Sequence, residues 1–330
     1  MLLHEHLENG ADKNPNFPFS EFEGNSLSYQ EANLLSNQLA NKLVSEGLEV
    51  GDRFAFLAKN CTEMAIMYYA ASKVGAVPVP LNYRLADQEW AYIINDSEAK
   101  LIIVKGNEYS DRINQISSEL KNVKKYISIS LDNSIEKFQD FYDWLSDSSN
   151  EKPTLKIHEN DDVYQMYTSG TTGHPKGAVL LQRNVAANIR QYLNSLTLPR
   201  PSRTLLVAPM YHAAAMINMC GCIAIGGTIV IQEDFIPQDV VDCLANEKIT
   251  HTVLVPAMIQ ACLVSVPNVA SNEYNDLDQI HYGASPIAPE TLKKAMDVFK
   301  CKFGQGFGMT ETVAVICLMT PEAVSYTHLR

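Results

Sequence analysis

Positive charge is scarce in this 330-residue chain. Twenty-six Lys and Arg stand against 38 Asp and Glu, a formal net charge of −12, so no positive field exists to attract nucleic-acid phosphates or anionic lipid. The seven cysteines, at 61, 220, 222, 243, 262, 301 and 317, never form a CxxC pair. Scattered through apolar or helical surroundings, they read as buried thiols of a reducing compartment. Cys220 and Cys222 flank Gly221, but no second Cys/His pair lies at zinc-like spacing. The opening MLLHEHLENGADKNP has no basic start followed by a long apolar run, so no signal peptide is expected and the cytoplasm is the default location. One stretch, Ala213 to Ile231, is nearly uncharged over 19 residues, a membrane-span length. Gly226-Gly227 divides it into a helix-like half and the β-branched run TIVI. The reading is helix, glycine turn and buried strand, with no integral membrane segment.

What is present is globular material. A chain 46% hydrophobic and 19% charged is too apolar for disorder, lacks collagen or coiled-coil periodicity, and is long enough for more than one subdomain. Ser28 and Glu31 have capping-box spacing ahead of Ala32, Leu35, Leu39 and Leu43, which share a helical face until Gly47. FAFLA at 54–58, LIIV at 101–104 and YISIS at 126–130 read as strands. Thr62 opens a helix running to Gly75, in which Met64 and Met67 are core residues filling irregular gaps, and another helical stretch surrounds Glu89 to Asn95. Residues 132 to 153, rich in Asp, Asn and Ser and ending in Glu151-Lys152-Pro153, form a surface connection. It suggests a division at residue 150, into α/β subdomains at 1–150 and 151–323. Beyond it VYQMYT, TLLVA, TIVI, THTVLV and QIHYG alternate with helical lengths. Short buried strands alternating with helices predict an α/β fold of layered, largely parallel sheets flanked by helices.

The chemistry concentrates in YTSGTTGHPKGAVL, Tyr167 to Leu180. A strand feeds the small and hydroxyl residues Thr168, Ser169, Gly170, Thr171, Thr172 and Gly173, followed by Lys176 and Gly177. Glycines let amides converge on anionic oxygens, hydroxyls add donors, and a lysine supplies a point charge: the parts of a polyphosphate cradle. It is not a Walker A loop, because Lys176 precedes Gly177 and AVLL reads as a strand where that loop needs a helix. A second cluster, GQGFGMTET from Gly304 to Thr312, fails as a dinucleotide fingerprint on spacing. Upstream, Gly283-Ala284-Ser285 follow a strand, but Ile287 breaks the GxSxG pattern that a nucleophile elbow at Ser285 would need.

Together these motifs resemble the adenylate-forming superfamily of acyl-CoA synthetases, luciferases and peptide-synthetase adenylation domains, nearer the acyl-CoA synthetase or fatty-acid–CoA ligase branch, from residue 26 to about 320. The resemblance implies that Thr168 to Gly173 and Lys176 hold the β- and γ-phosphates of ATP. Gly283, Ala284 and Ser285 border adenine and the acyl chain. In the run Gly306, Phe307, Gly308, Met309 and Thr310, Phe307 stacks on adenine and Thr310 contacts the α-phosphate. Glu311 helps bind Mg²⁺, as a carboxylate beside phosphates suits that ion. The family pattern has Tyr at Phe307; stacking survives that change. A fourth similar segment, LLVAPMYHAAAMINM, places Tyr211 and His212 beside the substrate carboxylate, with Ala213, Met216 and Gly283 lining the acyl site. Lys176, Thr310, Glu311 and His212 are the catalytic candidates.

The implied reaction is attack of a carboxylate on the α-phosphorus of ATP, releasing pyrophosphate, then displacement of AMP by CoA. The Tyr211 to Ala215 segment lacks the Asp with which peptide synthetases pair a substrate amine, so an uncharged acid is favoured. A medium- or long-chain fatty acid is the expectation, with an aryl or cinnamate-like acid as the competitor. Partners are therefore ATP, the acid and CoA, without nucleic acid and with a homodimer left open. The segment VSYTHLR at 324–330 does not resemble the family and is expected to be a non-native tail, and the family's small C-terminal domain, with its hinge and lysine, is expected to be missing. The expectation is an incomplete chain impaired in the full reaction, with a natural non-catalytic acyl- or nucleotide-binding module as the alternative.

Overall fold

The apolar runs become the strands of two parallel sheets. A computed structural model describes residues 1–129, 135–168 and 173–328. In chain order the strands are β1 (Pro18–Phe22), β2 (Asn25–Ser28), β3 (Arg53–Leu57), β4 (Val77–Leu81), β5 (Leu101–Lys105), β6 (Lys125–Ile129) and β7 (Phe138–Asp140). There follow β8 (Asp162–Thr168), β9 (Lys176–Leu181), β10 (Arg203–Leu206), β11 (Thr228–Ile231), β12 (His251–Leu254), β13 (Gln279–Gly283), β14 (Lys302–Phe307) and β15 (Cys317–Met319).

The chain divides into two compact units. One comprises Met1–Asp12 and Gln30–Val185, the other Lys13–Tyr29 and Ala186–Arg330. The first holds a sheet ordered β4-β3-β5-β6-β7, parallel throughout, and the separate antiparallel hairpin β8-β9. β4 carries Pro78 and Pro80 and lies at the sheet edge, where a missing N–H costs no ladder bond. Helix Thr62–Val74 ends at Gly75 in the left-handed conformation, φ 72°. Met64 and Met67 are buried, and Tyr68 meets Phe56 and Tyr164 edge-on with centroids 5.7 and 5.9 Å apart.

The division suggested at residue 150 falls inside this unit. β8 and β9 remain with it because Arg53 donates to Asp162 at 3.3 Å and to Gln165 at 3.2 Å while Tyr164 packs on Tyr68.

The second unit is an eight-stranded sheet ordered β15-β14-β13-β12-β10-β11-β1-β2, parallel except at its two outer pairs. The long apolar stretch is helix Ala213–Ala224, a turn at Gly226 with φ 76°, and β11. Among the described residues no helix is long and apolar enough to cross a membrane. Leu205, Val240, Ile280, Tyr282, Phe299 and Phe303 share one core. Val324, in helix Pro321–His328, is fully buried in that core, so the segment expected as a foreign tail contributes packing up to that point. All seven cysteines are free; five are buried, Cys301 is half-buried and Cys317 exposed.

Candidate active site

In the second unit β10, β12, β13 and β14 run parallel, so the segments leaving their carboxyl ends share one sheet edge. The chain goes from β10 outward to β11 and then back across to β12, which makes β10/β12 the point where strand order reverses. Open α/β sheets bind ligands outside the carboxyl ends at such a point. Tyr211, His212 and Ala213 follow β10; Gly283 ends β13, with Ala284 and Ser285 just after it; Gly306 and Phe307 end β14, with Gly308 to Glu311 just after it. The topology thus gathers every candidate that the sequence offered in this unit, except the buried Met216 farther along its helix, at one edge.

The backbone there is tightly set. Gly283 pairs with Gly306, and a Cβ on Gly283 would overlap the Gly306 carbonyl oxygen. Ala284 adopts φ 65°, a left-handed conformation unfavourable for a residue with a Cβ, and Ser285 is exposed. Phe307 is 65% exposed and Met309 53% exposed, which leaves an aromatic face open beyond β14. Thr310 and Glu311 lie in the short 3₁₀ turn Thr310–Thr312. Thr312 Oγ1 donates to the Met309 carbonyl at 2.9 Å. Glu311 is exposed and meets no cation among the described residues.

Tyr211 is buried and its ring lies 4.3 Å from that of the exposed His212, tilted by 52°. His212 caps helix Ala213–Ala224 in extended backbone, its carbonyl accepting from the amides of Ala215 and Met216 at 3.1 Å. Ala213 and Met216 are buried, and Cys220 Sγ approaches Met216 Sδ at 3.5 Å.

Three supporting residues carried no local signal in the sequence. Asn188 donates to the carbonyls of Val315 at 2.8 Å and Thr312 at 3.3 Å, tying down the turn that bears Thr310 and Glu311. Tyr192 donates to Asn218 Oδ1 at 2.9 Å, and Asn218 in turn donates to Thr204 at 3.0 Å. His281, two residues before Gly283, lies edge-on to Tyr192 with centroids 6.5 Å apart. Neither of its ring nitrogens has a hydrogen-bond partner among the described residues. Burial pushes its pKa down to about 4, and that of the neighbouring His251 to about 3.

In the first unit, β8 and β9 pair Tyr167 with Gly177 and Thr168 with Lys176. Thr168 is half-buried; Gly173 and Lys176 are exposed. Ser169, Gly170, Thr171 and Thr172 of the expected cradle lie outside the described residues. The strand reading of AVLL holds, but the pairing is antiparallel, since the connecting loop is too short for a crossover.

The family described as AMP-binding enzyme matches residues 7–328. The chain is 30% identical over 321 residues to the fatty acid–[acyl-carrier-protein] ligase ScoC of Streptomyces coeruleorubidus, covering 95% of this chain and 59% of that one. It is 29% identical over 297 residues to a feruloyl-CoA synthase of an Amycolatopsis species, covering 90% and 57%. The chain therefore spans under two thirds of the length of these relatives. Among solved structures, the inhibitor-bound N-terminal domain of FACL13 from Mycobacterium tuberculosis matches with a TM-score of 0.90 at 26% identity, over 99% of this chain and 80% of that one. A match running from the first helix to the last, through the β8-β9 hairpin and the glycine-bearing ends of β13 and β14, makes the chain a member of the AMP-binding enzyme family.

Proposed function

We propose that this chain supplies the nucleotide- and acid-binding part of an AMP-forming acid–CoA ligase, and that its acid is a medium- or long-chain fatty acid. The observation that carries the reading is the carboxyl edge of the second unit's sheet. There a close glycine pair, an open aromatic face and a hydroxyl-carboxylate turn follow adjacent strands.

In this reading Phe307 stacks on adenine, worth about 0.5–1.5 kcal/mol beyond area burial. Thr310 donates to the α-phosphate. Thr168 and Lys176 contact the β- and γ-phosphates, where the ammonium balances charge that grows on the departing pyrophosphate. A carboxylate oxygen of the acid bonds to the α-phosphorus as the bond to the bridging oxygen breaks. CoA thiolate then attacks the acyl carbonyl carbon and AMP leaves. Positioning carries the catalysis, so no protein nucleophile is required. Glu311 fits Mg²⁺ as an exposed carboxylate with no competing cation, the single-ligand mode in which that ion keeps substrate phosphates and water as its other ligands. Bound there, Mg²⁺ would neutralise phosphate charge.

The fatty acid assignment draws on the apolar helix Ala213–Ala224, on the lack of an acidic residue in Tyr211 to Ala215, and on ScoC among the relatives. The feruloyl-CoA synthase favours an aryl acid as the second reading. Titrating the chain with dodecanoyl and cinnamoyl sulfamoyl adenosines, unreactive analogues of the two adenylates, separates the readings. Tighter binding of the dodecanoyl analogue is expected; preference for cinnamoyl would reverse the assignment, and saturable binding of neither would remove the ligase reading.

A further inference from the structure

Helix Asp87–Asp96 of the first unit carries Tyr92 and Asp96 four residues apart, on one face. These two side chains hold both arms of the β8-β9 hairpin just where the loop begins and ends. On the β8 arm, the Tyr167 hydroxyl donates to Asp96 Oδ2 at 2.6 Å and accepts from Gln165 Nε2 at 3.1 Å. On the β9 arm, the Tyr92 ring stacks on His174 with centroids 4.6 Å apart and planes 18° from parallel. The Tyr92 hydroxyl proton points to the Pro175 carbonyl at 3.3 Å or, alternatively, to Asp96 Oδ1 at 3.5 Å. Gly177 makes the crossing possible: a Cβ there would overlap the Gln165 amide nitrogen and lie 2.9 Å from Tyr167 Cζ.

The same helix is attached by its opposite face, where Trp90, Ala91, Ile93 and Ile94 are buried. Its place in the fold does not depend on Tyr92 or Asp96, whose polar atoms go to the hairpin instead. Burial and the adjacent Asp96 carboxylate raise the Tyr167 pKa, which keeps the phenol protonated and donating.

We propose that Tyr92 and Asp96 are positioning residues that clasp the two ends of the phosphate loop, fixing Thr168 and Lys176 for the triphosphate without touching it. This rests on the reading of Thr168 and Lys176 as phosphate contacts. A clasp of this kind acts on nucleotides in proportion to their phosphate chain, whereas a general structural role acts on all of them.

The test is equilibrium titration of the intact chain and of Tyr92→Ala and Asp96→Ala with MgATP and, separately, with AMP. Each variant is expected to bind ATP about tenfold more weakly, the order of one lost hydrogen bond involving a charged group, with AMP affinity held within about twofold. Tyr92→Phe, which keeps the stack, recovers part of the loss. Tyr167→Phe combined with Asp96→Ala loses less than the sum of the two, since both break the Tyr167–Asp96 hydrogen bond. If Tyr92→Ala does not fold, Asp96→Ala and Tyr167→Phe decide the question. Unchanged ATP affinity in the folded variants, or an equal loss for ATP and AMP, overturns the clasp while leaving the phosphate loop standing. An unmutated chain that binds AMP but not ATP overturns the phosphate-loop reading and the clasp with it.

Discussion

Gly283 and Gly306 meet across the carboxyl ends of β13 and β14 so closely that a Cβ on Gly283 would run into the Gly306 carbonyl oxygen. The contact keeps the sheet edge bare of Cβ atoms at the point where the adenine and acyl candidates converge. Gly283→Ala must therefore push the Gly306 carbonyl aside. Overpacking of this kind costs about 1–3 kcal/mol, and a urea unfolding series should show a lower midpoint at unchanged slope. A midpoint equal to that of the unmutated chain would mean that the strands part without cost.

Phe307 behaves differently because it is 65% exposed. Replacing it by Ala should leave the unfolding midpoint within about 0.5 kcal/mol while weakening AMP by roughly three- to tenfold through the lost stack. Phe307→Tyr should match the unmutated chain. Calorimetric titration with AMP reads both outcomes, and equal affinity for Phe307→Ala would take adenine away from this face.

Asn188 joins helix Gln182–Ser195 to the segment after β14 through two carbonyls. Asn188→Ala strands both acceptors, a loss of about 1–3 kcal/mol for buried groups. Faster amide exchange confined to residues near Thr310 to Val315 is the expected signature. Uniform exchange across the second unit would point to global loosening instead.

The helix and strand pattern was legible wherever one physical signal dominated. LIIV, TIVI and FAFL are continuous apolar runs and became buried parallel strands. β1 and β2 were missed because PFSEF and NSLS are short and partly exposed, and their turn uses Glu23 at φ 50° beside Gly24, which the sequence does not advertise. β14 was read only as a glycine cluster. Its Gly304 serves close packing against the His281 ring, a requirement set by the neighbouring strand. At the site, the loop motifs were legible because their chemistry is local. Tyr92, Asp96 and Asn188 were not, since each meets its loop partners far along the chain, joined to them by tertiary folding alone.

Acid should unfold the second unit through its buried imidazoles. Burial lowers His281 to about 4 and His251 to about 3, from 6.5. Because the folded values lie below the unfolded one, the unfolded chain binds protons first as pH falls. Stability is complete above pH 6.5 and declines toward pH 4, by up to about 3 kcal/mol for His281. Asp278 is the charged group that opposes this shift. Urea midpoints measured from pH 7 to 4.5 should fall in the unmutated chain and fall less steeply in His281→Gln. Identical slopes would show that His281 is not neutral and buried as described.

The central claim is that a nucleoside triphosphate binds through the ammonium that opens β9. Calorimetric titration of MgATP into the intact chain and into Lys176→Met tests it most directly. Saturable binding at one site is predicted, at least tenfold weaker in Lys176→Met, the order of a charge-assisted contact to phosphate. Absence of saturable binding, or equal affinity in the two proteins, would contradict the account.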